Sequence, residues 1–312
     1  MSSFVLALLV FVTNERSGNV SVIRDNRVVA TFAAGTRPRG VVMSPDHKRL
    51  YVASSHFKGV FTRERDAIRV FDAATFKEIA RFPCGTDPEG IAITADGKRL
   101  VVANEDAGTA TIVDAKSGKT IATLVTGTEP EGVAINGQKA YVTGETSSTV
   151  TVLDLKTANV VANTFVDTRP RAATFTRSGA RAYVTAEVAG KVTVLDATKD
   201  RVIASIVLGR MDHPVGLVLS PDEKRLYVAT GRGNSVVVID TATNRVTNTI
   251  PVGQRPWGVA LTRDGKTLYA ACGISNTVSV IDTATLRVVN TVKAGDGPWG
   301  VVTSSDESVS KR

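Results

Sequence analysis

Two cysteines, Cys84 and Cys272, are all that 312 residues contain. That number excludes a disulfide scaffold and a zinc cluster built mainly from thiolates. The pair occupies different repeat positions far apart in the chain, so no bridge between them is expected. Aromatic residues make up only 5%, with two tryptophans, Trp257 and Trp299. The three histidines, His47, His56 and His213, form no His-x-His or H-E-x-x-H spacing. Nucleophile elbows, P-loops and dinucleotide fingerprints are missing too. No catalytic residue, cofactor or metal is therefore assigned. The carboxylates described below could offer oxygen to Ca²⁺, but their spacing specifies no metal site. Long apolar runs are also lacking: the longest, Phe4 to Val12, has nine residues, and a membrane-spanning helix needs roughly twenty. Residues 1–9 read as an apolar lead-in, either the stub of an export signal or the preamble to a first strand.

What is present is a globular composition, 43% hydrophobic and 22% charged. A net charge of +8 raises acidic partners, nucleic acid or a membrane surface, as candidates.

One unit recurs along the chain. Pro-x-Gly appears at Pro38, Pro88, Pro130, Pro214, Pro256 and Pro298, with Pro-Arg-Ala at Pro170, at successive spacings of 50, 42, 40, 44, 42 and 42 residues. Turns such as SPDHKR, TADGKR and SPDEKR follow most copies. Next come β-branched strands starting at Tyr51, Val101, Tyr141, Tyr183, Tyr227 and Tyr269, then a third strand closing at Asp72, Asp114, Asp154, Asp196, Asp240 or Asp282. A fourth strand, for example RVVNTV, leads into the next Pro-x-Gly. Four short strands per repeat of this length predict an all-β, seven-bladed β-propeller over residues 10–304. The first blade lacks its Pro-x-Gly strand, and PWGVVTS near the C-terminus supplies it. Joining the two closes the ring, and residues 305–312 remain as a polar tail. Proline fixes φ as each innermost strand begins, and glycine permits crowding at the axis.

The strands YVTG and YVTA, the opening FVTN and the recurring V.VID.AT pattern resemble those of YVTN-type β-propellers across residues 10 to 304. The blade-by-blade series TRPRG, DPEG, EPEG, DTRPRA, HPVG, QRPWG, GPWG is similar to bacterial propellers associated with pyrroloquinoline-quinone-dependent alcohol catabolism. The resemblance implies a periplasmic or secreted accessory factor and supplies no catalytic residues to carry over.

In a repeat, the deviations carry the information. Loops entering the innermost strands and loops between second and third strands should share the channel mouth. Around it stand Arg37 and Arg39, Asp87 and Glu89, Glu129 and Glu131, Arg169 and Arg171, Asp212 and His213, Arg255 and Trp257, then Asp296 and Trp299. Glu15, Glu105, Glu145 and Glu187 recur at equivalent positions of the neighbouring loops. One reading is solvated charges pairing across blades. The other is a polar pocket with an aromatic wall, whose ligand-binding residues would be Arg37, Arg39, Glu89, Glu131, Arg169, Arg171, His213, Arg255, Trp257 and Trp299. Two insertions break the period. His56 to Ala67 forms a lid, a partner-docking hairpin or a plain surface hairpin, and Gly209 to Gly216 pushes His213 toward the mouth.

The expected function is a monomeric, non-enzymatic binding propeller that takes a small ligand or a partner protein at the mouth. A single-stranded nucleic-acid binder and a lactonase-like hydrolase are the alternatives. The first needs a positive groove with stacking aromatics. The excess charge instead sits mainly on the opposite face, in turns such as DHKR, DGKR and TNR, while the mouth is near-neutral. The hydrolase would use His213 or a mouth carboxylate as base, but no paired nucleophile supports it.

Overall fold

The computed structural model describes residues 8–57, 65–209 and 211–304. Most of the lead-in, seven residues of the His56 to Ala67 insertion, Arg210 and the tail therefore lie outside the described residues. The rest forms seven four-stranded antiparallel sheets, with one 3-10 turn at Gly231–Gly233. Blade 1 joins Val10–Asn14, Asn19–Arg24 and Arg27–Ala33 to the innermost strand Pro298–Thr303. Val10 pairs with Thr303 and Val12 with Val301, closing the ring as the repeat count requires. The innermost strands of blades 2 to 7 are Arg37–Met43, Pro88–Ile93, Pro130–Asn136, Pro170–Phe175, Leu217–Leu219 and Pro256–Leu261. No helix among the described residues is long and apolar enough to cross a membrane.

Burial explains the composition of each strand. A middle strand has sheet neighbours on both edges and another blade against each face, so Val10–Asn14 and Ala67–Asp72 are buried almost throughout. Outermost strands such as Thr120–Val125 alternate between exposed and half-buried. Seven apolar clusters result, each shared by two neighbouring blades. The repeated tyrosines reach across these seams. Tyr51 donates its hydroxyl to the Ala115 carbonyl at 3.0 Å and Tyr141 donates to Asp200 at 2.6 Å. At the outer hairpins the recurrent aspartate accepts backbone N–H groups two or three residues on, as Asp72 does from Thr75 at 2.8 Å and Asp154 from Lys156 at 2.7 Å. His47 occupies a left-handed position, φ 55°, in its turn and is half-buried there.

The blades meet most closely at the axis. A Cβ placed on Gly40 would lie 2.2 Å from the Glu89 carbonyl oxygen. The same test on Gly90, Gly132, Gly216, Gly258 and Gly300 finds the next blade's carbonyl at 2.2–2.6 Å. Six of seven inner strands thus need glycine for contact rather than for turning. The seventh position is Ala172, and the blade it faces has an inner strand shortened to Leu217–Leu219.

Threonines in the second strands fasten the same contact. Thr143 accepts the Gly132 N–H at 2.8 Å and donates to the Arg171 carbonyl of the next blade at 3.0 Å. Thr13 bridges Gly300 and Arg39, and Thr185 bridges Ala172 and Val215, in the same way. Blades 2, 3, 6 and 7 carry Ala53, Ala103, Ala229 and Ala271 at this position.

Gly132→Ala should cost about 2–3 kcal/mol, because its methyl group would collide with backbone that cannot move without opening the seam. Ala172→Gly, the same exchange in reverse, should cost under about 1 kcal/mol, since it creates no collision. Denaturant midpoints of the two variants check both values, and equal losses would contradict the contact.

Candidate functional site

Pro-x-Gly opens or leads into six innermost strands and Pro170-Arg-Ala opens the seventh, and the residue after each proline has its carbonyl gripped by the preceding blade. Around the ring these residues are Arg39, Glu89, Glu131, Arg171, Val215, Trp257 and Trp299. Neighbours match: Arg39 pairs with Glu89, Glu131 with Arg171, and the indoles of Trp257 and Trp299 lie 5.5 Å apart at 31°. Above them opens a cavity of about 620 Å³, whose lining includes Arg37, Arg39, Glu131, Arg169, Arg171, Arg255 and both tryptophans.

The residue before each proline also shapes this mouth. Asp87, Glu129, Arg169 and Arg255 take left-handed φ values of 50°, 53°, 64° and 55°. Blade 1 has Gly297 there, at φ 72°. A non-glycine residue in this region costs on the order of 1 kcal/mol. Four blades nevertheless place a charged side chain there, and all four side chains line the cavity.

Two arginine centres organise the carboxylates. Arg37 binds Glu15 at 2.9 Å and Asp87 at 3.0 Å, while Arg39 engages Glu15 at 2.9 Å, Glu89, and Glu105 at 3.5 Å. Glu89 is fully buried, and Arg39 is its counter-charge. Asp87, Glu89 and Glu105 each bring an oxygen within 4.8 Å of the others, with the two guanidiniums as the cations they hold. Across the mouth, Arg171 binds Glu131, Glu145 and, at 2.6 Å, Glu187, and Arg169 adds to Glu145 and Glu187.

The remaining wall is aromatic. Arg39 lies 5.7 Å from the Trp299 ring, while Arg171 and Arg255 lie 5.5 and 5.1 Å from Trp257. These are cation–π distances. Beneath, a mainly apolar space of about 190 Å³ runs down the channel between Gly40, Gly90, Ala172, Gly216, Gly258 and Gly300. Glu131, Arg171, Trp257 and Trp299 line both spaces, so the two meet at these four side chains.

A sequence model of the choice-of-anchor I domain matches residues 56–218, just over half of the chain. The chain belongs to the choice-of-anchor I domain family. A model of the cytochrome D1 heme domain matches residues 180–301. Among solved structures, hydrazine synthase of Kuenenia stuttgartiensis is similar at 23% identity and a TM-score of 0.72, over 84% of this chain and 88% of that one. A candidate 6-phosphogluconolactonase from Bacteroides fragilis is similar at 19% identity and a TM-score of 0.78, over 97% and 99% of the two chains. At these identities the likeness shows the propeller fold alone. No curated protein matches the chain.

In this choice-of-anchor I domain, most residues expected at the mouth do gather around one cavity, but five do not line it, among them Glu187, which pairs with Arg169 and Arg171. Glu89 is buried behind Arg39. Asp296 turns to Arg16, at 2.7 Å. His213 and Asp212 belong to the blade 6 entry, where the His213 N–H is tied to the Thr230 carbonyl at 3.0 Å. His56 is held at the edge of its insertion, Nδ1 to Asp66 at 2.6 Å, and Asp66 in turn accepts the Asp87 N–H at 2.8 Å. Phe57 is an addition to the expected set, with Arg37 5.6 Å from its ring. Its position inside an insertion hid that role from the repeat. Cys84 and Cys272 are both free thiols, and burial pushes Cys84 up to about 12.

Burial also drives the Glu131 carboxyl well above its ordinary range, against the pull of Arg171 and with the help of Glu145 beside it. Burial alone would lower Arg171, but Glu131, Glu187 and Glu145 outweigh it and keep the guanidinium charged. A group that holds its proton longer when folded loses stability as pH rises past its unfolded pKa, near 4.5 for Glu131. Glu131→Gln, which has no proton to lose, should therefore gain in stability on the parent chain as the pH rises from 4.5 to 8. Urea unfolding at the two pH values measures this, and a variant that falls further behind at pH 8 would show Glu131 ionised in the fold.

Proposed function

We propose that the protein is a non-enzymatic binding propeller that recognises a small ligand at the mouth of its central channel, in a periplasmic or secreted setting. The observation that carries this reading is the tryptophan pair. The chain has two tryptophans, and both sit side by side at the cavity floor under cationic side chains. Large rings opening on a polar, solvent-filled mouth offer stacking area to a ligand. The setting is supported by the likeness of the repeat to YVTN-type propellers and to those associated with quinone-dependent alcohol catabolism.

A haem, as the cytochrome D1 similarity would imply, does not fit this mouth. Haem iron takes histidine, methionine, cysteine or tyrosine as protein ligands, and the described residues lining the cavity include none of these. The mouth arginines are largely neutralised by carboxylates, which disfavours a nucleic-acid strand.

Because both tryptophans lie in the site, intrinsic fluorescence reports occupancy directly. A panel of quinones, sugars, lactones and organic acids, read by tryptophan emission and by thermal shift, should yield at least one binder. The double variant Trp257→Ala, Trp299→Ala should weaken each hit at least tenfold by calorimetry, the scale of two lost stacking contacts. Hits unchanged in the double variant would move the site elsewhere.

A further inference from the structure

Resting on that reading, we propose that the ligand is an amphipathic organic anion, its acidic group held by Arg255 and its apolar end lowered past the indoles into the glycine-ringed channel. Arg255 differs from the other mouth arginines. Arg37, Arg39, Arg169 and Arg171 each hold at least two carboxylates, whereas no carboxylate reaches Arg255 among the described residues. Its side chain is exposed and stacked on Trp257. Its backbone is fixed on both sides, the N–H donating to Asn234 at 2.9 Å and the carbonyl accepting from Gly273 at 2.9 Å. A left-handed φ is accepted there in order to carry a guanidinium where Gly297 serves in blade 1. One cation without a counter-charge, aimed into a cavity, selects an anion.

The second half of the assignment comes from the space below. It is continuous with the mouth at Glu131, Arg171, Trp257 and Trp299, and below them it is walled by glycine, alanine, valine, Ile91 and Leu217. A fully polar ligand would leave the mainly apolar lower part of this space without a matching group. A short alkyl chain or a single ring fills it with favourable burial. Carboxylates, phosphates and sulfates share the chemistry that Arg255 recognises, and carboxylates serve as the probe.

The full chain is titrated with n-alkyl carboxylates from acetate to octanoate, with alkyltrimethylammonium ions of the same lengths, and with alkanols, following tryptophan emission and calorimetric heat. Carboxylate affinity should rise about threefold to fourfold per methylene until the channel space is filled, then level off. Arg255→Gln should weaken the longer carboxylates about tenfold while leaving alkanols unchanged, and Arg255→Lys should recover part of the loss. If ammonium ions or alkanols bind as well as carboxylates, or if chain length has no effect, the amphipathic-anion assignment falls and the binding reading stands. If neither these probes nor the wider panel perturbs the tryptophans, both fall.

Discussion

The structure depends on how closely seven inner strands approach one another. At six positions a glycine Cα rests on a carbonyl oxygen of the next blade, with no room for a methyl group. That contact sets the radius of the channel and the number of blades that can surround it. Apolar seams between blades supply the bulk of the burial, but they would tolerate slippage. The glycine contact, fastened by Thr13, Thr143 and Thr185, specifies the register. The exception supports the rule. Where Ala172 replaces glycine, the facing inner strand is reduced to Leu217–Leu219 and the preceding loop carries the Gly209 to Gly216 insertion.

The same contact makes the mouth rigid. The carbonyls gripped at the seams include those of Arg39, Glu89, Arg171, Trp257 and Trp299, so the backbone beneath these side chains is held by both of its neighbours. Side chains that leave a fixed ring at fixed angles can be matched in pairs, and they are: Arg39 with Glu89, Glu131 with Arg171, Trp257 with Trp299. Val215, small and apolar, occupies the gap that lets Arg171 reach the face of Trp257. A ligand meeting this surface finds its partners already oriented, which lowers the ordering cost of binding.

Much of this was readable in the residues. Pro-x-Gly spacing predicts seven blades, and the missing inner strand of blade 1 predicts closure by PWGVVTS, because a repeat with fixed period leaves few other ways to bury its faces. The ring of variable residues follows from the same register. What the spacing cannot express is direction. Glu89 and Glu131 occupy the same repeat position, yet one is sealed behind Arg39 and the other lines both cavities. Asp296 and Asp87 are likewise close in register, and one turns outward to Arg16. The threonine fastening carried a signal, Thr in FVTN, YVTG and YVTA against Ala elsewhere, but its meaning needs the neighbouring blade's carbonyl. His213 looked significant as a rare residue near a mouth, and the two extra residues beside it leave it outside the cavity lining.

The buried charges separate holding the ring from using it. Glu89 is taken from water at a cost of several kcal/mol, and the attraction of Arg39 recovers only part of this. Apolar side chains of similar volume would close the ring at least as well, as Val215 does in blade 6. The glycine contacts and apolar seams need no ion pairs to persist. The two arginine centres therefore contribute little that the fold requires. What they do contribute is orientation. The carboxylates hold the Arg39 and Arg171 guanidiniums over the indoles of Trp299 and Trp257, and they are themselves engaged by these arginines while none reaches Arg255 among the described residues. An arrangement that spends stability to keep two indoles and one uncompensated cation facing the same space is built for what enters that space.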